Sequence, residues 1–246
     1  MSQYIAAIDI GKKNFAFVIE EIAPIEHFKS LPEIPKPSRY HKSGDKQLAG
    51  TPTDPFRTAL DSLHRLNKVI LVSNNDLTTN TISKNILEDQ IFINMMNVLD
   101  AHRTYWDKCA VILIEKQMAF GPQKQNIMAM KLAQHCYSYF MFTYKDIVDC
   151  PKVIEFPAYI KTQTLGAPKH FGTITKTFKN GKTTEIKDNR KKWAARTAIN
   201  ILTDRKDTST LESIETKHDR KQQQDDMSDC LLMVEAYCVD NYYQSL

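Results

Sequence analysis

Four carboxylates stand where strongly patterned apolar elements end or begin. Asp9 closes the run Tyr4-Ile-Ala-Ala-Ile8, Glu115 closes Val111-Ile-Leu-Ile114, and Asp226 with Asp229 falls in the first turn of an apolar helical stretch over 225–242. Asp226 and Asp229, three apart, share one helix face with about 5–6 Å between Cβ atoms. An aspartate at a strand end is an ordinary turn former, and one in a helix's first turn complements the macrodipole. Glu115 resists that explanation, because an ionised carboxylate fed by a buried strand is costly without a partner. Carboxylates gathered at one point repel, and one of them protonates unless a cation lies among them. Mg²⁺ suits such a site, since it takes hard oxygen ligands and keeps waters and phosphate oxygens in its shell. Two such ions about 3.5–4 Å apart serve an in-line phosphoryl displacement, activating a water and stabilising the leaving oxygen.

The elements that must position these groups follow from the apolar pattern. Tyr4 to Asp9 and Asn14 to Ile22 read as two strands joined by a Gly11 turn, hence a hairpin. Six of the ten prolines (24, 32, 35, 37, 52, 55) fall within 24–64, which reads as an inserted extended arm or long loop. Val69–Val72 resumes a strand, 81–102 carries apolar residues at helical spacing, and Cys109–Ile114 is a continuous apolar run typical of a strand covered on both faces. A helix over 123–142 and a short strand over 152–156, stopped by Pro157, come next. Asn180-Gly181 between alternating β-formers predicts a hairpin over 173–186. A helix over 190–202, a charged segment without periodicity to residue 224 and the final helix complete the order. Antiparallel strands first and βα alternation afterwards imply an α/β chain with a mixed sheet and helices on its faces.

With 246 residues, 42% of them apolar, the chain is long enough for one substantial core and is expected to be a single domain, 1–246. It has no run of 18 apolar residues and no basic-then-apolar leader, so a soluble protein is expected, with no membrane partner. The cysteines at 109, 136, 150, 230 and 238 match neither a zinc site nor a disulfide framework, and suggest core thiols in a reducing compartment. Net charge is only +4, yet ten basic residues face three acidic ones between Pro151 and Lys192, a local excess suited to a polyanion.

Four motifs, "IDIGKKN" (8–14), "ILIEKQ" (112–117), "FPAYIKTQTLG" (156–166) and "DDMSDCLL" (225–232), resemble in order and spacing those of RuvC-type Holliday junction resolvases. The resemblance is closest to the poxvirus branch, which Val98-Leu-Asp-x-His102 ahead of Trp106 and Cys109 also resembles. It implies an RNase H-like fold, a five-stranded mixed sheet flanked by helices, and an endonuclease that resolves four-way DNA by paired nicks. It further implies two Mg²⁺ ions, with Mn²⁺ substituting, held by Asp9, Glu115, Asp226 and Asp229, with Asp225 an alternative to Asp226. The family's basic residue falls on Lys161, expected at the scissile phosphate, and a second on Lys191 or Lys192. Lys116, Gln117, Lys161, Lys176, Lys179, Lys182, Lys191 and Lys192 are then the expected DNA contacts. A homodimer is implied as well, for which the helix of residues 83–103 offers Ile91, Phe92, Met95 and Met96, although core packing accounts better for most of them. A viral member would work in infected-cell cytoplasm or a viral factory.

Three other readings are weaker. A kinase-like phosphate cradle after Asp9 needs glycine-rich loops, and the seven glycines here include no adjacent pair. An RNase H-like enzyme cutting an RNA/DNA hybrid, or a transposase-like one, shares the fold but not the Glu-Lys-Gln block. A junction-binding protein that does not cleave has no use for four carboxylates beside phosphates.

Overall fold

Gln3–Asp9 (β1) and Phe15–Ile22 (β2) pair antiparallel, with Asp9 opposite Ala16. Residue 11 has to be glycine for this turn, because a Cβ there would lie 2.8 Å from the Asn14 carbonyl oxygen. The computed structural model describes residues 3–42, 44, 48–82, 86–117, 127–177, 183–215 and 221–243. Lys68–Asn75 (β3) adds antiparallel to β2, while Cys109–Lys116 (β4) and Lys152–Pro157 (β5) add parallel to β1, giving the order β3-β2-β1-β4-β5. Only β2 runs against the other four. The fold is thus α/β with the expected mixed five-stranded sheet flanked by helices.

Side-chain alternation divides two cores between the sheet's faces. Ile5, Ala7 and Leu113 go to one side and Ala6, Ile8 and Ile112 to the other, all fully buried. That double burial is why β1 and β4 read as unbroken apolar runs. The first face is covered by α1 (Ile25–Lys29), α2 (Asp54–His64), α6 (Ala158–Thr164), α7 (Arg190–Arg205), α8 (Thr208–Glu215) and α9 (Lys221–Cys238). The second is covered by α3 (Asp89–Ala101), α4 (Arg103–Trp106) and α5 (Ile127–Tyr144). Trp106 anchors the second core edge-on to Phe17 (5.1 Å between centroids) and Phe140 (5.6 Å), its indole N–H donating to Leu99 O. Cutting it to alanine would cost about 3–5 kcal/mol.

The segment 24–64 is not an extended arm. It folds back on the first face, burying Phe28, Phe56 and Leu63, and Arg39 lies over the rings of Phe56 and Tyr243. Three of its six prolines open helices instead of breaking them: Pro24 precedes α1, Pro35 precedes a 3₁₀ turn (Lys36–Ser38), and Pro55 lies in the first turn of α2. Three further boundaries differ from expectation. The helix expected over 81–102 starts only at Asp89, after a turn that Asn94 Nδ2 ties by bonds to Leu77 O and Thr79 O. The charged stretch after 202 contains α8, whose start is fixed by the Asp207 carboxylate accepting from Thr210 N and Ser209 Oγ. α9 begins at Lys221, so Asp226 and Asp229 lie beyond its first turn and the capping explanation for them falls away. β6 (Thr173–Thr177) and β7 (Thr183–Lys187) form the expected antiparallel pair, while Asn180-Gly181 and Gly121-Pro122 lie outside the described residues. In α3, Ile91 and Met95 belong to the core, Phe92 is half-buried and Met96 is exposed.

One charged cluster inside the first core is invisible to pattern reading. The Arg205 guanidinium bonds Glu20 Oε1 at 2.5 Å and also bonds Glu235, whose other oxygen meets His64 Nδ1 at 2.5 Å; both glutamates are fully buried. Burial and the Glu235 charge push the Glu20 carboxyl well above the usual carboxylate range. Burial acts on Glu235 in the same direction, but the Arg205 and His64 charges outweigh it and hold that carboxyl far below. The cluster joins β2, α2, α7 and α9 at a single point.

Candidate active site

The parallel register of β1 and β4 sets Ile8 beside Ile114, so the next residues, Asp9 and Glu115, end neighbouring strands side by side. Adjacent strands lie about 4.8 Å apart. Both carboxylates share the parity of Ala7 and Leu113, the face that α9 covers. α9 crosses β1 and β2, with the Cys230 thiol donating to Ala16 O at 3.5 Å, and brings Asp226 and Asp229 within electrostatic reach of Asp9. Two strand ends and one helix therefore bring the four expected acids together.

β5 runs straight into α6 at Pro157, which delivers Lys161. Its ammonium meets Glu115 Oε1 at 3.3 Å and Asp229 Oδ2 at 3.0 Å, with the side chain only 6% exposed. Lys161 is thus held inside the carboxylate group, not presented at its mouth to a phosphate. Gln117 Nε2 donates to the second Glu115 oxygen at 3.3 Å. Lys191, on α7, is the basic residue that faces the acids, lowering both Asp226 and Asp229, whereas Lys192 turns its ammonium to Lys187 O. Asp226 acts on Asp9 and lines the cleft with it, which places 226 rather than 225 toward the centre. Lys116 is exposed at the end of β4, and Lys176 lies on β6; Lys179 and Lys182 are outside the described residues.

The electrostatics show what the gathering costs. Burial first, then the charge and hydrogen bond of Glu115 and the charges of Asp226 and Asp229, push the Asp9 carboxyl well above the usual range. Asp226 is pushed up to about 7, by burial and by Asp229, Asp225 and Glu115, against the pull of Lys191. Asp229 is raised too, burial outweighing the Lys161 ammonium beside it. Burial would lower Lys161, but the Asp229 and Glu115 charges hold it above the ordinary lysine range. Burial is the first cause of all three raised carboxyls, and the neighbouring carboxylates add to it.

A cleft of about 300 Å³ opens onto this group between Asp9, Gly11, Lys12, Lys13, Asn14 and Asp226. Lys12, Lys13 and Asn14 are not among the expected site residues, although they lie within the 8–14 motif, three to five positions after Asp9. The Asn14 side-chain oxygen is buried there without a hydrogen-bond partner among the described residues. Among those residues no three Asp, Glu, His or Cys side chains already form a ready-made cation cage. The donor chemistry still fits Mg²⁺: four carboxylates, an amide oxygen seeking a partner, and raised carboxyls that a divalent cation would relieve.

The fold and site define an α/β protein with a half-buried acidic centre where β1 and β4 end under α9. No family model matches the chain. It is 30% identical over 255 aligned residues to the uncharacterized protein 170L of Invertebrate iridescent virus 6, covering 95% of this chain and 88% of that one, and it belongs to the same family. The uncharacterized protein 97L of Invertebrate iridescent virus 3 is 27% identical, over 95% of this chain and 98% of its own length. Among solved structures, RuvC of Thermus thermophilus aligns over 98% of both chains with 9% identity and a TM-score of 0.47. The yeast mitochondrial Holliday junction resolvase Ydc2 aligns over 98% of this chain and 78% of its own, with 14% identity and a TM-score of 0.46. No helix among the described residues is long and apolar enough to cross a membrane.

Proposed function

We propose that this protein is a divalent-metal-dependent endonuclease that cuts four-way and related branched DNA by paired nicks, working as a homodimer. The observation that carries the reading is the convergence of Asp9, Glu115, Asp226 and Asp229 from three separate elements onto one half-buried centre. Burial and mutual repulsion raise the Asp9, Asp226 and Asp229 carboxyls there, a cost that a bound divalent cation would offset. The choice of branched DNA is supported by the four resolvase-like sequence motifs.

Asp9, Glu115, Asp226 and Asp229 would hold Mg²⁺, for which Mn²⁺ would substitute. Bound metal supplies a water of lowered pKa and positive charge at the leaving oxygen. The chain's own groups do the rest. Gln117 fixes one Glu115 oxygen, Lys161 neutralises the inner side of the acid group, and Lys12, Lys13 and Lys191 give its open side the positive charge that draws in a phosphodiester. The free thiols, all buried except Cys150, suit a reducing compartment, the infected-cell cytoplasm for a viral protein.

The test is incubation with an end-labelled four-way junction, a matched linear duplex and an RNA/DNA hybrid, each with Mg²⁺ and with EDTA. Symmetric, Mg²⁺-dependent nicks in the junction alone are expected, and Asp9→Asn should abolish them while leaving junction binding intact or stronger. Cutting of the hybrid alone would move the protein to another substrate class. Tight junction binding with no cutting under any metal would make it a binder.

A further inference from the structure

A second concave surface, about 420 Å³, lies on the far side of α6 from the acidic centre. Lys161 points from α6 into the acids, while Thr162 and Gln163 line this groove together with Tyr40, His41, Lys169 and Arg190. Among the described residues no acidic side chain lines it. Among the described residues neither Lys169 nor Arg190 is taken up by an ion pair, and both are exposed. The described lining, two cations without an ion pair among the described residues, an imidazole and neutral hydrogen-bonding groups, is of a composition that suits an anion.

The groove is also built, not incidental. Lys169 N donates to Ala49 O at 2.9 Å, and the Tyr40 hydroxyl donates to Thr164 O at 2.7 Å, which ties Tyr40 to the end of α6 and Ala49 to the chain just beyond it. Gly166 adopts φ +74° with Pro52 packed so close that a Cβ would lie 2.5 Å from its ring. Lys169 and Arg190 flank the β6–β7 hairpin, whose base is closed by Asp188 N donating to Gly172 O and by the Asp188–Arg196 pair. Seven residues of α6 span about 10 Å, the reach of a few nucleotides from the acids.

We infer that this groove binds backbone phosphates of the DNA whose strand is cut at the acidic centre, so that the proline-rich segment forms part of the substrate surface. The inference rests on the nuclease reading for its ligand, but its test is independent of cleavage. Fluorescence anisotropy in EDTA would follow a fluorescein-labelled four-way junction titrated with the full chain from 0.05 to 0.3 M salt. The double variant Lys169→Ala/Arg190→Ala should lose about two units from the slope of log affinity against log salt, and bind roughly tenfold more weakly at 0.1 M. Lys169→Arg/Arg190→Lys should restore both. Lys68→Ala/Lys152→Ala, the same charge loss at the opposite end of the sheet, should change neither. An unchanged slope in the groove variant, an equal loss in the control, or a wild-type chain that binds no DNA overturns the groove. If the wild type cuts nothing while the groove variant still loses its slope, the nuclease reading falls and the groove stands.

Discussion

Asp226→Asn exchanges a titrating group for a neutral one of the same shape at the mouth of the cleft. In the folded chain the Asp226 carboxyl is pushed from 3.8 up to about 7, roughly three units at 1.36 kcal/mol each, or about 4 kcal/mol as a ceiling. The cleft is open to water, and solvent screening reduces this to about 1–2 kcal/mol. Because the folded pKa lies above the unfolded one, the group's favourable contribution is complete below pH 4 and is lost as pH rises through 7. The asparagine variant should therefore be more stable than the parent at pH 8.5 and no more stable at pH 4. For a chain of this length, 1–2 kcal/mol corresponds to a melting temperature higher by about 2–8 °C. Thermal melts by circular dichroism in EDTA, taken between pH 4 and 8.5, would read it. Mg²⁺ at pH 8.5 should raise the parent's melting temperature and leave the variant's nearly unmoved. An equal gain at pH 4.5 and 8.5, or a variant that melts lower at pH 8.5, would refute the electrostatic account of the centre.

Lys161→Ala should lower the metal-free melting temperature and make stability more responsive to Mg²⁺ than in the parent, as two buried carboxylates lose their cation; an unaltered Mg²⁺ response would take Lys161 out of the acid group. Lys191→Ala should raise the pH midpoint of the Asp226 effect, whereas Lys192→Ala should not, and equal shifts would remove the distinction drawn between them. Arg205→Met leaves Glu20 and Glu235 buried without their cation and should cost about 3–5 kcal/mol in urea unfolding, against under about 1 kcal/mol if the cluster is incidental. In the native chain Cys150 alone should react quickly with a thiol reagent, since the other four are buried and Cys109 is pushed up to about 12.

Asp9 and Glu115 stood out because each ends a strand of strong apolar pattern, whereas Asp226 and Asp229 lie inside α9 and were marked by the motif resemblance and their i, i+3 spacing. β1 and β4 announce themselves as doubly buried strands, but their pairing, which sets Asp9 beside Glu115, has no local signal in the sequence. Segment 24–64 was misread because proline is ambiguous: it breaks a helix from within but opens one at its first turn, and only the packing of Phe28, Phe56 and Leu63 decides between the two. α8 was hidden since its stabilisation comes from a cap at Asp207 and a single buried apolar residue, Ile214, which makes no periodic signal. Lys161 was identified, but a basic residue looks the same in sequence whether it faces a phosphate or a carboxylate. The Glu20–Arg205–Glu235–His64 cluster joins residues up to 215 positions apart, and nothing local to any of them marks the others.

That cluster has a mechanical consequence. Glu235 lies six residues beyond Asp229 on α9, about 9 Å along the same rigid rod. Arg205 ends α7, the helix that presents Lys191 at its other end. Two of the helices that bring groups to the acidic centre, α7 and α9, are therefore clamped together at one buried hinge pin, with their working ends cantilevered from it. Side chains at the free ends can change to suit a different substrate without disturbing the clamp, whereas a single exchange at the pin would throw both helices out of line at once.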